Sequence, residues 1–304
     1  MQSYRSPSRR HQQQVFYKYM SAHTAKIVLA GQTLRWSAPT LFNDPFDVPR
    51  ELAFGISPHE LQQACKNYLL ELHKTPPSDY AVLQEKLALV LRTYHERATP
   101  QLKDKILDVY ETPLPQPKGD ATNELREWWK NSLPELRILC LVIRPDITSM
   151  WYHYAERYTG VVMELLCSDE LDSPWLLARN VNYPETTPEI FTARGWARLL
   201  TLRHEIAMDE LFNAYIYNKT PDWRYEEEWR IFSFKRPGET GEFSDYKFNP
   251  ANISKLFFGP KIGNKDKEDI LSLLKYDLKH VKPYQANFEM DRRISFTEIG
   301  IGSC

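Results

Sequence analysis

The stretch "TPDWRYEEEWRIFSF" (220–234) sets three adjacent glutamates, Glu226, Glu227 and Glu228, between Trp223 and Trp229. Neighbouring like charges repel and carboxylates are seldom buried unpaired, so the run needs a reason. Its remaining residues read as a β-strand, whose side chains alternate between faces. Glu226, Glu228 and Arg230 then point one way, and Glu227, Trp229 and Ile231 the other. Arg230 is thereby placed to keep Glu228 ionised. Such a carboxylate row can stabilise a developing positive charge and take a proton from a nucleophile. It equally describes the solvated face of an edge strand.

Other segments offer ligand-binding chemistry. "SMWYHYAERYTG" crowds aromatic residues with polar tips, suited to stacking on a flat ring and bonding its edge. Trp151, Tyr154 and Tyr158 recur at helical spacing and read as a buried stripe, which leaves Tyr152 and His153 as the site candidates. In "YKYM", Lys18 is a phosphate-binding candidate, with Tyr19 beside it. "NDPFD" supplies Asn43, Asp44 and Asp47 as turn formers first and as ligand or ribose contacts second. "GPKIGN" is a glycine-bearing turn entering a helix, able to receive a phosphate on its N–H groups but lacking a phosphate-loop spacing.

Metal chemistry is not expected. Cys65, Cys140, Cys167 and Cys304 are far apart without a C-x-x-C pair, and no histidine pair has ligand spacing. Lys plus Arg number 39 against 40 Asp plus Glu, a net charge of −1, so no broad nucleic-acid-binding surface is expected. No apolar run approaches the roughly 20 residues of a spanning helix, and the polar, basic opening residues 1–14 read as a flexible arm rather than a leader. The expectation is a cytoplasmic protein without membrane contact.

The elements that must hold these residues alternate irregularly. Strands are expected at 15–20, through Leu34, Arg35 and Trp36, at 136–143, 160–166 and 253–259, and in the tail. Residues 57–110 read as a helical insertion: Ser57, Pro58 and Glu60 form a capping-box start, Ser78 opens a second helix, and Thr99 with Pro100 a third. A proline-rich connector follows at 111–120. Further helices are expected from Thr187 to Tyr217, interrupted at Gly195, and from an Asn264 cap to Leu278. The fold class is α+β, a mixed or split β-sheet core with a helical cap, in one domain over 15–304.

With these segments in place, the chain resembles the mainly bacterial family known as domain of unknown function 2971. The landmarks are "FYKY", "LAGQTLRWSAPTLFNDPFD", "MWYHYAERYTGVVMEL", "VNY", "KTPDWRYEEEWRIF" and "ISKLFFG", in order from residue 16 to about 263. A more distant likeness is to ADP-ribosyltransferases, in which three motifs converge in a split sheet to bind NAD. "YKY", the MW-x-x-Y segment and E-x-E occupy those ordinal places. Lys18 stands where such enzymes usually carry His or Arg, and no S-T-S strand is present. The likeness implies NAD as co-substrate, Glu228 as the carboxylate stabilising the ribosyl centre, and Glu226 deprotonating an acceptor macromolecule. Lys18 and Arg230 would contact the diphosphate or fix the glutamates. The alternative is a non-enzymatic module that binds a nucleotide or peptide, in a setting of stress or phage defence. Metal-dependent phosphodiester chemistry is disfavoured, because the carboxylates lack accompanying histidines.

Overall fold

The computed structural model describes residues 5–52, 55–113, 123–275 and 277–300. Its helices, in chain order, are α1 (Ala22–Gly31), α2 (Pro58–Lys74), α3 (Glu85–Arg97), α4 (Pro100–Val109), α5 (Asn123–Ser132), α6 (Thr148–His153), α7 (Ala193–Leu199), α8 (His204–Ile216) and α9 (Asn264–Leu273). The strands are β1 (Val15–Met20), β2 (Thr33–Ser37), β3 (Leu136–Val142), β4 (Val161–Leu166), β5 (Arg179–Asn180), β6 (Glu228–Phe234), β7 (Phe243–Lys247), β8 (Ile253–Phe258), β9 (Lys282–Phe288) and β10 (Ile294–Glu298). This is an α+β fold. Two compact units divide it: Met1–Pro45, Leu133–Tyr183 and Lys219–Cys304 form the first, Phe46–Ser132 and Pro184–Asn218 the second.

The first unit holds the mixed sheet, in the order β10-β9-β8-β4-β1-β3-β2-β7, with β6 pairing β3 and β5. β6 opposes β3 from Leu136↔Phe234 to Val142↔Glu228. The other edge of β3 is shared, because β1 meets it at Tyr17↔Val142 and β2 at Ser37↔Ile138. The sheet therefore splits along β3. Lys18 reaches into the split, its Nζ donating to the Cys140 carbonyl at 2.8 Å. An otherwise unpaired strand carbonyl is thus satisfied.

Both sheet faces are covered. Phe16, Leu139, Met163 and Leu256 pack on one side with Ala25 and Leu29 of α1 and Ile270 of α9. On the other, Tyr19, Val142, Val162 and Phe257 pack with Met150 and Trp151 of α6. Part of the expected arm is also docked. Arg9 donates to Asp169 at 2.9 Å and to the Cys167 carbonyl at 2.6 Å, and His11 Nε2 lies 2.8 Å from the Trp175 carbonyl.

The second unit is helical. Ser57 forms the expected capping box on α2, and Thr99 caps α4. The second helix of this block starts at Glu85 rather than Ser78, because Asp79 first caps a short 3-10 turn at Tyr80–Val82. Strand-like pairing within this unit includes an isolated bridge, Leu83↔Leu202. Trp129 packs with Phe212 and Tyr215 of α8. The break expected at Gly195 falls instead at 200–203. Gly195 sits inside α7, where an added Cβ would lie 2.1 Å from the Glu189 carbonyl. A glycine here permits close approach and does not end the helix. Most of the proline-rich connector, 114–120, and Cys304 lie outside the described residues.

Candidate functional site

The glutamate run is not one strand. Residues Pro221–Glu226 form a 3-10 turn started by the proline, Glu227 adopts a left-handed conformation (φ 47°), and β6 begins at Glu228. The alternation expected across 226–230 therefore holds only from Glu228 onward. Glu226 still meets Glu228, through a lysine. Lys219 Nζ lies 2.6 Å from Glu226 Oε2 and 3.4 Å from Glu228 Oε2. Arg230 forks onto Glu228, its Nε donating to Oε1 at 2.8 Å and its Nη2 to Oε2 at 2.7 Å. Tyr154 donates its hydroxyl to Glu226 Oε1 at 2.7 Å.

Backbone contacts fix this arrangement. β5 pairs with β6 at Arg179↔Arg230 and Asn180↔Trp229, and the Val181 amide continues onto the Glu228 carbonyl. The Glu228 amide donates to the Tyr183 hydroxyl at 3.0 Å, and the Lys219 amide to the Asn182 carbonyl at 3.0 Å. One short segment, 179–183, thus positions both Lys219 and Glu228.

The four charged side chains are nearly removed from water. Relative exposure is 7% for Lys219, 2% for Glu226, 5% for Glu228 and 0% for Arg230. Formally two cations meet two anions, and such burial is sustainable only with this pairing. The two carboxyls respond oppositely. Burial alone would raise Glu228, but Arg230 beside it, with Lys219, holds it down at about 2. Glu226 is pushed above the ordinary range, first by burial and then by the charge of Glu228. Burial and the charge of Glu226 also raise Tyr154, which keeps its proton as a donor.

Half-buried aromatic rings surround the cluster. The Arg230 guanidinium lies 5.5 Å from the Phe42 ring and Lys219 Nζ 4.6 Å from the Trp223 ring, with Tyr225 next to Trp223 at 6.0 Å. Glu227 stands apart and pairs with the half-exposed Arg144 at 3.2 Å.

The other expected site residues fare differently. The pairings Tyr17↔Val142 and Val142↔Glu228 put Tyr17 on the face of Glu228, so Lys18 belongs to the opposite face. Tyr19 is on the correct face but buried, its hydroxyl donating to the Arg144 carbonyl and accepting from the Ile147 amide. Asn43 is exposed next to Phe42, and Asp44 is half-buried. Tyr152 and His153 are exposed at the end of α6, while Tyr154 packs against the core as expected and also carries the contact to Glu226. The helix stops at His153, and Glu156, Arg157 and Tyr158 are all left-handed, so Tyr158 does not extend a helical stripe. Lys219, Phe42, Tyr154 and Tyr183 were assigned no site role by spacing. Each nevertheless lies in a landmark string, "KTPDW", "TLFNDPFD", "MWYHYAERYTG" or "VNY".

Residues 150–231 match the family described as Protein of unknown function (DUF2971). The resemblance to that family holds over this span. It contains Tyr154, Tyr183, Lys219, Glu226, Glu228 and Arg230, whereas "FYKY", "NDPFD" and "ISKLFFG" fall outside it. The chain matches no curated protein and no solved structure. Among the described residues, no group of three or more His, Cys, Asp and Glu is placed to hold a metal ion, and no helix is long and apolar enough to cross a membrane.

Proposed function

We propose that the Lys219–Glu226–Glu228–Arg230 cluster is the centre of an ADP-ribosyltransferase-like glycosyl transfer that takes NAD as co-substrate. The observation carrying this reading is that two carboxyls sharing one lysine are driven in opposite directions. Environments that separate two such groups set up an acid–base division of labour. Glu228, fixed and ionised, supplies negative charge toward a ribosyl centre that turns positive as the nicotinamide bond breaks. Glu226, with its raised proton affinity, accepts the proton of the attacking acceptor. Tyr154 and Lys219 hold Glu226 in place, and the rings of Phe42, Trp223 and Tyr225 suit a flat base.

A second reading is favoured by one specific feature: both oxygens of Glu228 are already engaged by Arg230 and Lys219. In that case the site recognises a nucleotide or peptide without turnover. Labelled NAD incubated with the purified protein distinguishes the two. Transfer chemistry predicts nicotinamide release and label transfer that fall on the order of 10²-fold or more in Glu226→Gln, and little in Glu227→Gln. Saturable NAD binding without release, weakened in Glu226→Gln, identifies the binding module. The absence of both release and binding refutes NAD as the ligand.

A further inference from the structure

Away from the glutamate cluster, the first unit carries a β–α–β crossover whose strands, β8 and β9, are parallel and joined through α9. Their carboxyl ends open on a cleft of about 440 Å³, lined by Ile262, Asn264, Lys267, Gln285, Asn287 and Phe288. Crevices outside the carboxyl ends of parallel strands are where α/β sheets bind ligands. Lys267 donates to Gln285 Oε1 at 2.7 Å, which orients its ammonium and leaves further donor capacity. Gln285 is itself fixed by Nε2 bonds to the Gly259 and Ala286 carbonyls.

A strip of rings and cations leads outward from Phe288, which lines the cleft. Phe288, 51% exposed, meets Tyr158 at 5.1 Å edge-on, and Tyr158 meets the 45%-exposed Tyr152 at 6.1 Å. Lys261 Nζ lies 5.5 Å from the Tyr158 ring and 5.8 Å from the Phe288 ring, and Arg157 lies 5.8 Å from the Tyr152 ring. The backbone is built to hold this strip: the left-handed residues Glu156, Arg157 and Tyr158 are locked by the Lys261 amide donating to the Tyr158 carbonyl. Exposed aromatic faces alternating with cations, beside a polar cleft, match a ligand with both a flat ring and a phosphate.

We infer that this cleft is a second, independent ligand site that binds a free nucleotide. The base stacks on the exposed face of Phe288, with Tyr158 edge-on beside it. The phosphate lies against Lys261 and Lys267. Asn264 and Asn287 supply hydrogen bonds to the sugar or the base edge. The assignment does not depend on the chemistry at Glu226.

Fluorescence titration of the full chain with a ring-labelled ADP, competed by unlabelled ADP, tests the site. Saturable, competable binding is expected, weakened about fivefold or more by Phe288→Ala and by Lys261→Ala/Lys267→Ala, and unchanged by Glu227→Gln. Thermal melts of the variants establish that they remain folded. Binding lost in Glu226→Gln but retained in Phe288→Ala would put the nucleotide at the glutamate cluster and overturn the inference. No saturable binding at millimolar ADP overturns it outright. Affinity for oligothymidine that climbs with chain length and exceeds that for ADP overturns the free nucleotide as the ligand.

Discussion

Replacing Glu228 by glutamine removes one charge from a sealed cluster and leaves the shape almost unaltered. The formal balance of Lys219 and Arg230 against Glu226 and Glu228 then becomes one positive charge in excess, buried with Arg230 at 0% exposure. A carboxyl held at about 2 against an ordinary 4.5 corresponds to roughly 3 kcal/mol of native-state stabilisation. Removing one partner of a buried ion pair costs about 3–5 kcal/mol, so the two routes agree. For a chain of this size, at about 2.1 cal/mol/K of unfolding entropy per residue, the melting temperature should fall by roughly 5–8 °C at neutral pH. Denaturant titration and thermal melts of Glu228→Gln, Arg230→Met and the double variant provide the assay. The double variant restores formal neutrality and should be less destabilised than the two single losses added together. A loss within about 0.5 kcal/mol for Glu228→Gln, with additive behaviour in the double variant, would mean that the carboxylate is hydrated and the cluster open.

Acid should reveal the same group. Glu228 stays ionised in the fold down to about 2 while the unfolded chain takes up its proton near 4.5, so its contribution is complete above 4.5 and lost as pH falls toward 2. Glu226 runs the other way, because its raised value makes the native state the better proton binder above 4.5, and Glu226→Gln should therefore reduce the loss of stability that accompanies its ionisation. Stability curves of wild type and both variants between pH 2 and 7, compared by subtraction, check both signs. At Glu227 the left-handed backbone (φ 47°) favours glycine, so Glu227→Gly should stabilise by about 0.5–1 kcal/mol and Glu227→Val should destabilise, read by denaturant midpoint. An added methyl at Gly160 would lie 2.2 Å from the Met20 carbonyl, so Gly160→Ala should cost more than about 2 kcal/mol in the same assay.

Much of the sheet could be read in the chain, because apolar runs such as "LRILCLVI" carry their own burial signal. The strongest local rules also transferred: the Ser57 capping box and the Thr99 cap are formed as spacing predicts. Two features escaped for identifiable physical reasons. The alternation applied to 226–230 assumed unbroken extended backbone, which the left-handed Glu227 interrupts. Tyr154 does pack against the core, but from the end of α6 its hydroxyl also reaches Glu226, a tertiary contact that helical spacing does not encode. The partner of the glutamates was invisible for another reason. Lys219 is brought to them by a 3-10 turn and by the amide bond to Asn182, contacts that no periodicity encodes. Lys18 shows the converse. Its residue type suited a phosphate, but strand parity assigned it to the sheet face opposite Glu228, and its ammonium caps a carbonyl where the sheet divides.

Stability alone does not account for retaining four charges in this position. Well-packed apolar residues of similar volume commonly serve as well as a buried ion cluster or better. A cluster that only neutralised itself would also be expected to hold both carboxyls low. Here Lys219 lies 2.6 Å from Glu226, yet burial and the charge of Glu228 outweigh it, while Arg230 anchors Glu228 as the permanent anion. Within the pair the proton affinity of Glu226 is raised and that of Glu228 lowered. Tyr154 and Lys219 both donate to Glu226 and favour its ionised form, so its raised proton affinity comes from burial and from Glu228 against those two contacts. This asymmetry is what a proton-accepting group requires and what a simple electrostatic clasp does not, and it is why the cluster is read as chemistry before architecture.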